Sequence, residues 1–331
     1  MTPVDAPARR GRATLEADPG LRFAAAALEP ATVGPYLGER LGPHTLRRAD
    51  LLRHKPGRRA LLRYTLTRPG GTLQVLGKVR AKGTDHRTQR LQAWLWANGF
   101  DDSCADGVSA AEPLGTVDAF HMTLQRAVPG RGLETLLTAD AKPLLGRVAE
   151  ALYRLHRTPA PVCRRHTVHD ELEILSRQLG AVSAASPQYR ERLERLLAAS
   201  AALAAGLPAA PEATLHRDFY PDQVLVGGGR LYLLDLDLCA RGDPALDVGN
   251  FVAHLREHAL RRWGNPDALA ELAQAFTSRY RELTGLPAAA ADGYASLSLA
   301  RHVAISQRLP ERRHLTGDLL ALTEAQLERL L

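Results

Sequence analysis

The chain has 331 residues, 45% apolar and 24% charged, with a formal net charge of +7, enough length to bury a sizeable core and to form two domains or one bilobal unit. It contains no run of about 18 apolar residues of the kind a membrane span needs, and the opening "MTPVDAPARRGRATLEADPG" lacks the apolar stretch of a secretion signal, so a cytoplasmic location and no membrane partner are expected. Residues 1–100 hold 18 Lys and Arg against 7 Asp and Glu, while the remaining 231 residues hold 25 against 29. That asymmetry suits a lobe holding a polyanionic ligand; a nucleic-acid partner is not expected, because no dense basic run carries interleaved aromatics.

In chain order, residues 1–20, rich in Pro, Gly, Ala and Arg, read as a flexible arm, and a helix is expected within "PATVGPYLGERLG". "ADLLRHK", "ALLRYTLTR" and "LQVLGKVRA" alternate apolar and polar residues and are separated by "PGRR" and "PGGT", which predicts a three-stranded antiparallel meander. A helix follows over "TDHRTQRLQAWLWANGF", with Thr84 as its N-cap and Leu91, Trp94 and Leu95 on its apolar face. Strands around "VSAAEPLGTVDAF" and "HMTLQRAV" complete a small five-stranded lobe.

Beyond Pro129 the pattern becomes helical. "AKPLLGRVAEALYRLHRTPAP" places Leu144, Leu145, Val148, Leu152 and Leu155 on one face, with His156 and Arg157 as cations at its C-terminal end. Ser186 and Pro187 are expected to open another helix. "QVLVGGG" and "RLYLLDLDL" read as two strands meeting at a glycine turn, and helices are expected from Asp247 onward. The three cysteines, Cys104, Cys163 and Cys239, form neither a paired framework nor a short metal-ligand spacing.

The chemistry-bearing stretch is "HRDFYPDQVLV" at 216–226. His216 and Asp218 are followed by Gln223, then by Asp235 seventeen residues after Asp218, then by "GDPALDVGNF" with Asp243 and Asp247. Upstream, Lys78 lies on the third predicted strand. This order of parts matches phosphoryl transfer on a kinase scaffold. A short carboxylate at Asp218 can take a hydroxyl proton and aim the oxygen. Gln223 and Asp235 offer hard oxygens to Mg2+, and Lys78 offers a charge to the phosphates of ATP or GTP.

The pieces "LHRDFYPDQVLV", "LYLLDLDLCARGDPALDVGNF", "VAEALYRLHRTPAP" and "LQRAVPGRGL" resemble the aminoglycoside phosphotransferase and choline kinase superfamily. The resemblance implies an α+β, protein-kinase-like bilobal fold: a small five-stranded antiparallel N-lobe with one main helix over 21–125, and a larger, mostly helical C-lobe over 126–331. It implies a small-molecule kinase that transfers the γ-phosphate of a nucleoside triphosphate to a hydroxyl of a sugar, nucleoside, aminoglycoside-like or other natural-product acceptor. By that resemblance Asp218 is the base and Asp235 the principal metal ligand, joined by Gln223 and by Asp237 as an accessory ligand. Asp243 and Asp247 brace the loop and cap the following helix. Adenine sits at the hinge over 122–127, which includes Gln125.

Gln223 stands where relatives carry Asn, and its carbonyl keeps the ligand chemistry one methylene further out. The helix after Lys78 has no glutamate; only Asp85, Gln89 and Gln92 could steady the lysine. The first hairpin turn, "KPGRRA", has one glycine, so Arg58 and Arg59 are expected to meet phosphate with side chains. The same departures motivate the alternative of a pseudokinase or nucleotide-sensing binding protein without phosphotransfer. From Asp247 onward ten acidic side chains face ten basic ones, which favours a neutral or singly charged acceptor over a polycationic one.

Overall fold

The structure, a computed structural model, describes residues 6–331. They form two compact units, one running to Gly130 and taking in Gly227–Leu234, the other made of Arg131–Val226 and Asp235–Leu331. The chain therefore changes unit after 130 and returns to the first unit once.

In the first unit a helix, α1 (Ala6–Glu16), occupies most of the stretch expected to be a flexible arm; residues 1–5 of that arm lie outside the described residues. Alanine and arginine are strong helix formers, and Leu15 is fully buried in one apolar cluster with Leu21, Val33, Leu37, Leu62 and Tyr64. A 3-10 segment (Arg22–Leu28) and α2 (Pro30–Leu41) complete this helical layer. Next come β1 (Thr45–Lys55), β2 (Arg59–Arg68), β3 (Gly71–Arg80), α3 (His86–Ala97), β4 (Val108–Ala110), β5 (Pro113–Val117) and β6 (Met122–Arg126).

The five-stranded sheet has the order β1-β2-β3-β6-β5 and is antiparallel throughout. Its period of two sends Leu62, Tyr64 and Leu66 of β2, and Leu73, Val75 and Val79 of β3, into the cluster beneath the helices. The N-cap of α3 is Asp85, whose carboxylate accepts from the Thr88 amide at 3.0 Å, and not Thr84. The stretch read as a single fourth strand is two. β4 leaves the sheet, because the glutamate and proline at 112 and 113 interrupt it, and pairs elsewhere.

The second unit begins with β7 (Arg131–Gly132), α4 (Lys142–Arg157), β8 (Arg165–His166), α5 (Val168–Ala185), α6 (Arg190–Ala205), β9 (Ala213–Leu215) and β10 (Val224–Gly227). β11 (Arg230–Leu233) returns to the first unit and runs parallel to β4, Leu231 opposite Val108. β12 (Ala240–Gly242), α7 (Ala245–Trp263), α8 (Ala270–Thr284), α9 (Ala288–Arg308) and α10 (Thr316–Leu330) close the chain. α5 starts on a capping box between Thr167 and Asp170. Pro187–Tyr189 is a 3-10 turn ahead of α6, and the Ser186 hydroxyl faces Gln307 at 3.4 Å instead of capping.

Short strands pin the loop that matters here: β12 lies antiparallel to β9 and parallel to β8, and β10 pairs with β7 through Leu225 and Gly132. α7 and α9 cross at Gly249, where a Cβ would collide with the backbone of Tyr294 and Ala295. Among the described residues, no helix is long and apolar enough to cross a membrane.

Candidate active site

The loop 216–223 joins β9 to β10, and its shape is fixed from below. Arg217 takes a left-handed conformation (φ 68°), a costly one for a residue with a Cβ. It turns two successive amides toward one acceptor: the Asp247 carboxylate, at the start of α7, accepts from His216 N and Arg217 N at 2.7 Å each. Its Oδ2 also lies 2.9 Å from His156 Nε2, and His156 Nδ1 lies 2.6 Å from the Tyr280 hydroxyl. With Nε2 donating to the carboxylate, Nδ1 accepts from the phenol. His156 is thus a buried member of the loop's support, not a solvated cation at a helix end.

A second support reaches the loop from α7 and α9. Asn250 Nδ2 donates to Phe219 O at 2.9 Å, and Arg301 Nη2 donates to Asn250 Oδ1 at 2.6 Å. Arg301 also pairs with Glu171 at 3.2 Å, which in turn bonds His166. Phe219 is buried and stacks on Phe251 at 5.3 Å between ring centroids, and Phe251 on Phe276 at 4.2 Å. The His216 ring packs edge-on against Phe219. Asp243 accepts from Ala245 N, the first amide of α7, at 2.8 Å.

On this frame Asp218 is half-buried. Burial pushes its carboxyl above the usual range; the His216 and Arg301 charges oppose that, and Asp235 and Asp247 add to it. Asp235 is itself left-handed (φ 53°), which turns its side chain away from the direction that ordinary strand continuation would give. Tyr220 gathers the neighbours: its phenol is hydrogen-bonded to the Gln223 side chain, and burial, with the nearby Asp218, Asp222 and Asp235 charges, pushes it up to about 12. Asp218, Gln223 and Asp235 therefore share one locality. Tyr220 also stacks on His254 at 4.2 Å, and neither residue carries a motif that sequence reasoning could have used.

Gln223 is 8% exposed, on the 3-10 turn Pro221–Gln223, and Asp237 is equally buried on the turn Leu236–Leu238. Among the described residues no group of three or more His, Cys, Asp and Glu is placed to hold a metal unaided. The oxygen-bearing side chains around Tyr220 are the carboxylates of Asp218, Asp222 and Asp235 and the amide of Gln223.

In the first unit the residues expected to meet nucleotide lie on the sheet face turned away from the apolar cluster. Lys78 is opposite Leu61 on one side and Thr123 on the other, and Gln125 is opposite Leu76. Alternation puts Arg59, Lys78 and Gln125 on that face, while Arg58 is exposed in the turn. Of the side chains on α3 that could steady the lysine, Asp85 is engaged by Thr88 and by Arg80 at 3.2 Å. Gln92 donates to Ala111 O at 2.6 Å and to Gln125 Oε1 at 3.3 Å.

Comparison with known proteins follows the same outline. Residues 73–291 match the model of the phosphotransferase enzyme family. The chain resembles the solved structure of a choline/ethanolamine kinase family protein from Mesorhizobium loti, at 17% identity, with a TM-score of 0.59, over 97% of this chain and 94% of that one. It also resembles spectinomycin phosphotransferase APH(9)-Ia, solved with ADP and spectinomycin, at 14% identity, a TM-score of 0.64, and 91% and 98% coverage. A third is choline kinase LicA from Streptococcus pneumoniae, at 12% identity, a TM-score of 0.62, and 90% and 98% coverage. These likenesses show the protein-kinase-like fold. No curated protein matches the chain.

Proposed function

The chain belongs to the phosphotransferase enzyme family, a kinase of a hydroxyl-bearing small molecule, and on that premise we propose that it moves the γ-phosphate of ATP or GTP with Asp218 as the base. The observation that carries this reading is the fixed loop: two backbone amides on Asp247 and one carbonyl on Asn250 hold Asp218 where its carboxyl is half-buried and more basic than usual. A base needs that combination of position and raised affinity for a proton.

Asp235 and Gln223 fit Mg2+, whose small shell takes a few protein oxygens beside phosphates and waters. The mutual repulsion of Asp218 and Asp235 is what a divalent cation would relieve. Bound there, Mg2+ would neutralise charge building on the phosphates. Asp237 is the accessory oxygen. Lys78, Arg59 and Arg58 would meet the donor phosphates, and the segment 122–127 with Gln125 the base of the nucleotide. The amides of Arg126 and Ala127 already donate to Glu112 O and Gln74 O at 2.8 and 2.9 Å, so other groups of that segment would read the purine.

For the acceptor, Arg301 beside Asp218 and the even balance of acids and bases beyond Asp247 favour a neutral or singly charged alcohol such as a sugar, nucleoside or natural-product hydroxyl. A cytoplasmic location, where nucleoside triphosphates are held, goes with this reading. The test is phosphate transfer from ATP or GTP to a panel of such alcohols and of aminoglycosides, with wild type and Asp218→Asn side by side. Transfer that survives the substitution nearly intact removes Asp218 from the role of base. Nucleotide binding without transfer to any alcohol favours a nucleotide-sensing protein.

A further inference from the structure

Asp18 belongs to no motif and sits between α1 and the 3-10 segment Arg22–Leu28, yet it is only 7% exposed. Its Oδ1 accepts from Gly20 N at 2.9 Å. Its Oδ2 accepts from Gly57 N at 2.8 Å and lies 2.7 Å from His54 Nε2. These bonds, the Gly57 amide first, hold its carboxyl below the usual range. Gly57 and His54 belong to the β1–β2 turn and its entry strand. Asp18 thus ties the turn 55–59 to the N-terminal segment.

The turn is held elsewhere too. Gly57 is its left-handed corner (φ 65°). Arg58 N donates to Lys55 O at 3.0 Å, and Ala81 N, just past β3, donates to Arg58 O at 2.9 Å. Gly20 abuts Gly57 so closely that a Cβ on Gly20 would lie 2.9 Å from Gly57 Cα. The segment carrying Asp18 is anchored in its own right: Leu15 is fully buried, and α1 approaches β1 so closely that a Cβ on Gly11 would lie 2.7 Å from Leu51 Cβ. A phosphate loop rich in glycine reaches its ligand by backbone freedom. This turn has one glycine and is shaped from outside.

We propose that Asp18 is a positioning residue for the donor phosphates: from the N-terminal segment it holds the turn 55–59 in the shape that presents Arg58, Arg59 and the turn's backbone to the triphosphate. The inference rests on the reading of that turn as the phosphate turn. It assigns the segment around Asp18 a task in nucleotide binding that its composition did not show. The gain is preorganisation, since arginine side chains on a fixed turn lose less freedom when they close on phosphate.

The experiment is calorimetric titration of the full chain with ATP and Mg2+, and separately with adenosine, for wild type, Asp18→Asn and Gly20→Ala, with amide hydrogen exchange over 55–59. Asp18→Asn keeps shape and one acceptor while weakening the hold. Gly20→Ala wedges the turn from the same side without touching the carboxylate. Both variants are expected to bind ATP about tenfold more weakly, to bind adenosine as wild type does, and to exchange faster at 57 and 58. A general loss of fold would weaken both ligands together. An unchanged ratio of ATP to adenosine affinity in both variants, with faster exchange in the turn, overturns the proposal while leaving the kinase reading in place. A wild-type chain that binds neither ATP nor GTP overturns both.

Discussion

The role proposed for Asp218 sets function against stability at a single residue. Its carboxyl is raised in the folded state, by burial first and by neighbouring carboxylates after it, so the folded chain binds its proton more tightly than the unfolded chain does. The favourable contribution of the protonated form is present below the unfolded pKa and is lost as pH rises through the folded one. At neutral pH the ionised group therefore opposes folding. Asp218→Asn should raise the melting temperature measured in neutral buffer while lowering kcat by about 10²- to 10⁴-fold. In wild type the acid limb of kcat/KM should fall as pH drops through a value above the ordinary carboxylate range. A limb at or below that range, or a variant less stable than wild type, contradicts the assignment. Gln223→Ala should raise the Mg2+ concentration for half-maximal activity by at least about tenfold, since even the outer partners of metal ligands are worth that much. Gln223→Asn should recover most of it.

The types and order of these side chains could be proposed from the sequence because the chemistry leaves few substitutes: a short carboxylate, a hard-oxygen pair, a lysine on a strand. Tyr220 and His254 could not be, because nothing in a sequence says which ring will stack on which across a fold.

At the scale of elements, the support of the loop rests on α4, α7 and α8 acting together. Asp247, His156 and Tyr280 each come from one of them, and the link passes through a carboxylate with no exposed surface. Asp247→Ala strands two buried amides and a histidine, and with each orphaned group costing about 1–3 kcal/mol the loss should exceed 3 kcal/mol in denaturant titration. Tyr280→Phe removes one bond to His156 and should cost about 1 kcal/mol. Equal, small losses in both variants would mean that the loop is held by its aromatic floor alone. The helix and strand periods of the sequence placed α4 and the meander β1–β3 well, because apolar spacing alone decides them. β8, β9 and β12 escaped, since strands of two or three residues carry no period, and their pairing depends on partners 25 to 76 residues away, as Ala240 with Leu215 and Arg241 with Arg165. His156 reads as a helix-end cation until its distant partner is known.

For the whole molecule, the first unit carries the residues proposed to meet a nucleotide, and the second carries the loop on which the proposed base lies. The first-hundred-residue excess of basic side chains was readable from composition, whereas the role of α1 was not, because an Ala- and Arg-rich start suits an arm and a helix equally until Leu15 finds its cluster. Thermal-shift titration of the full chain with ATP and with GTP, each with and without Mg2+, and again for Asp235→Asn, tests the phosphotransfer reading most directly. Nucleotide at about 100 times its dissociation constant should stabilise the fold by about 2.7 kcal/mol, or about 4 °C. The expected result is a shift that needs Mg2+ in wild type and shrinks in Asp235→Asn. No shift with either nucleotide, or one indifferent to both metal and Asp235, would contradict it.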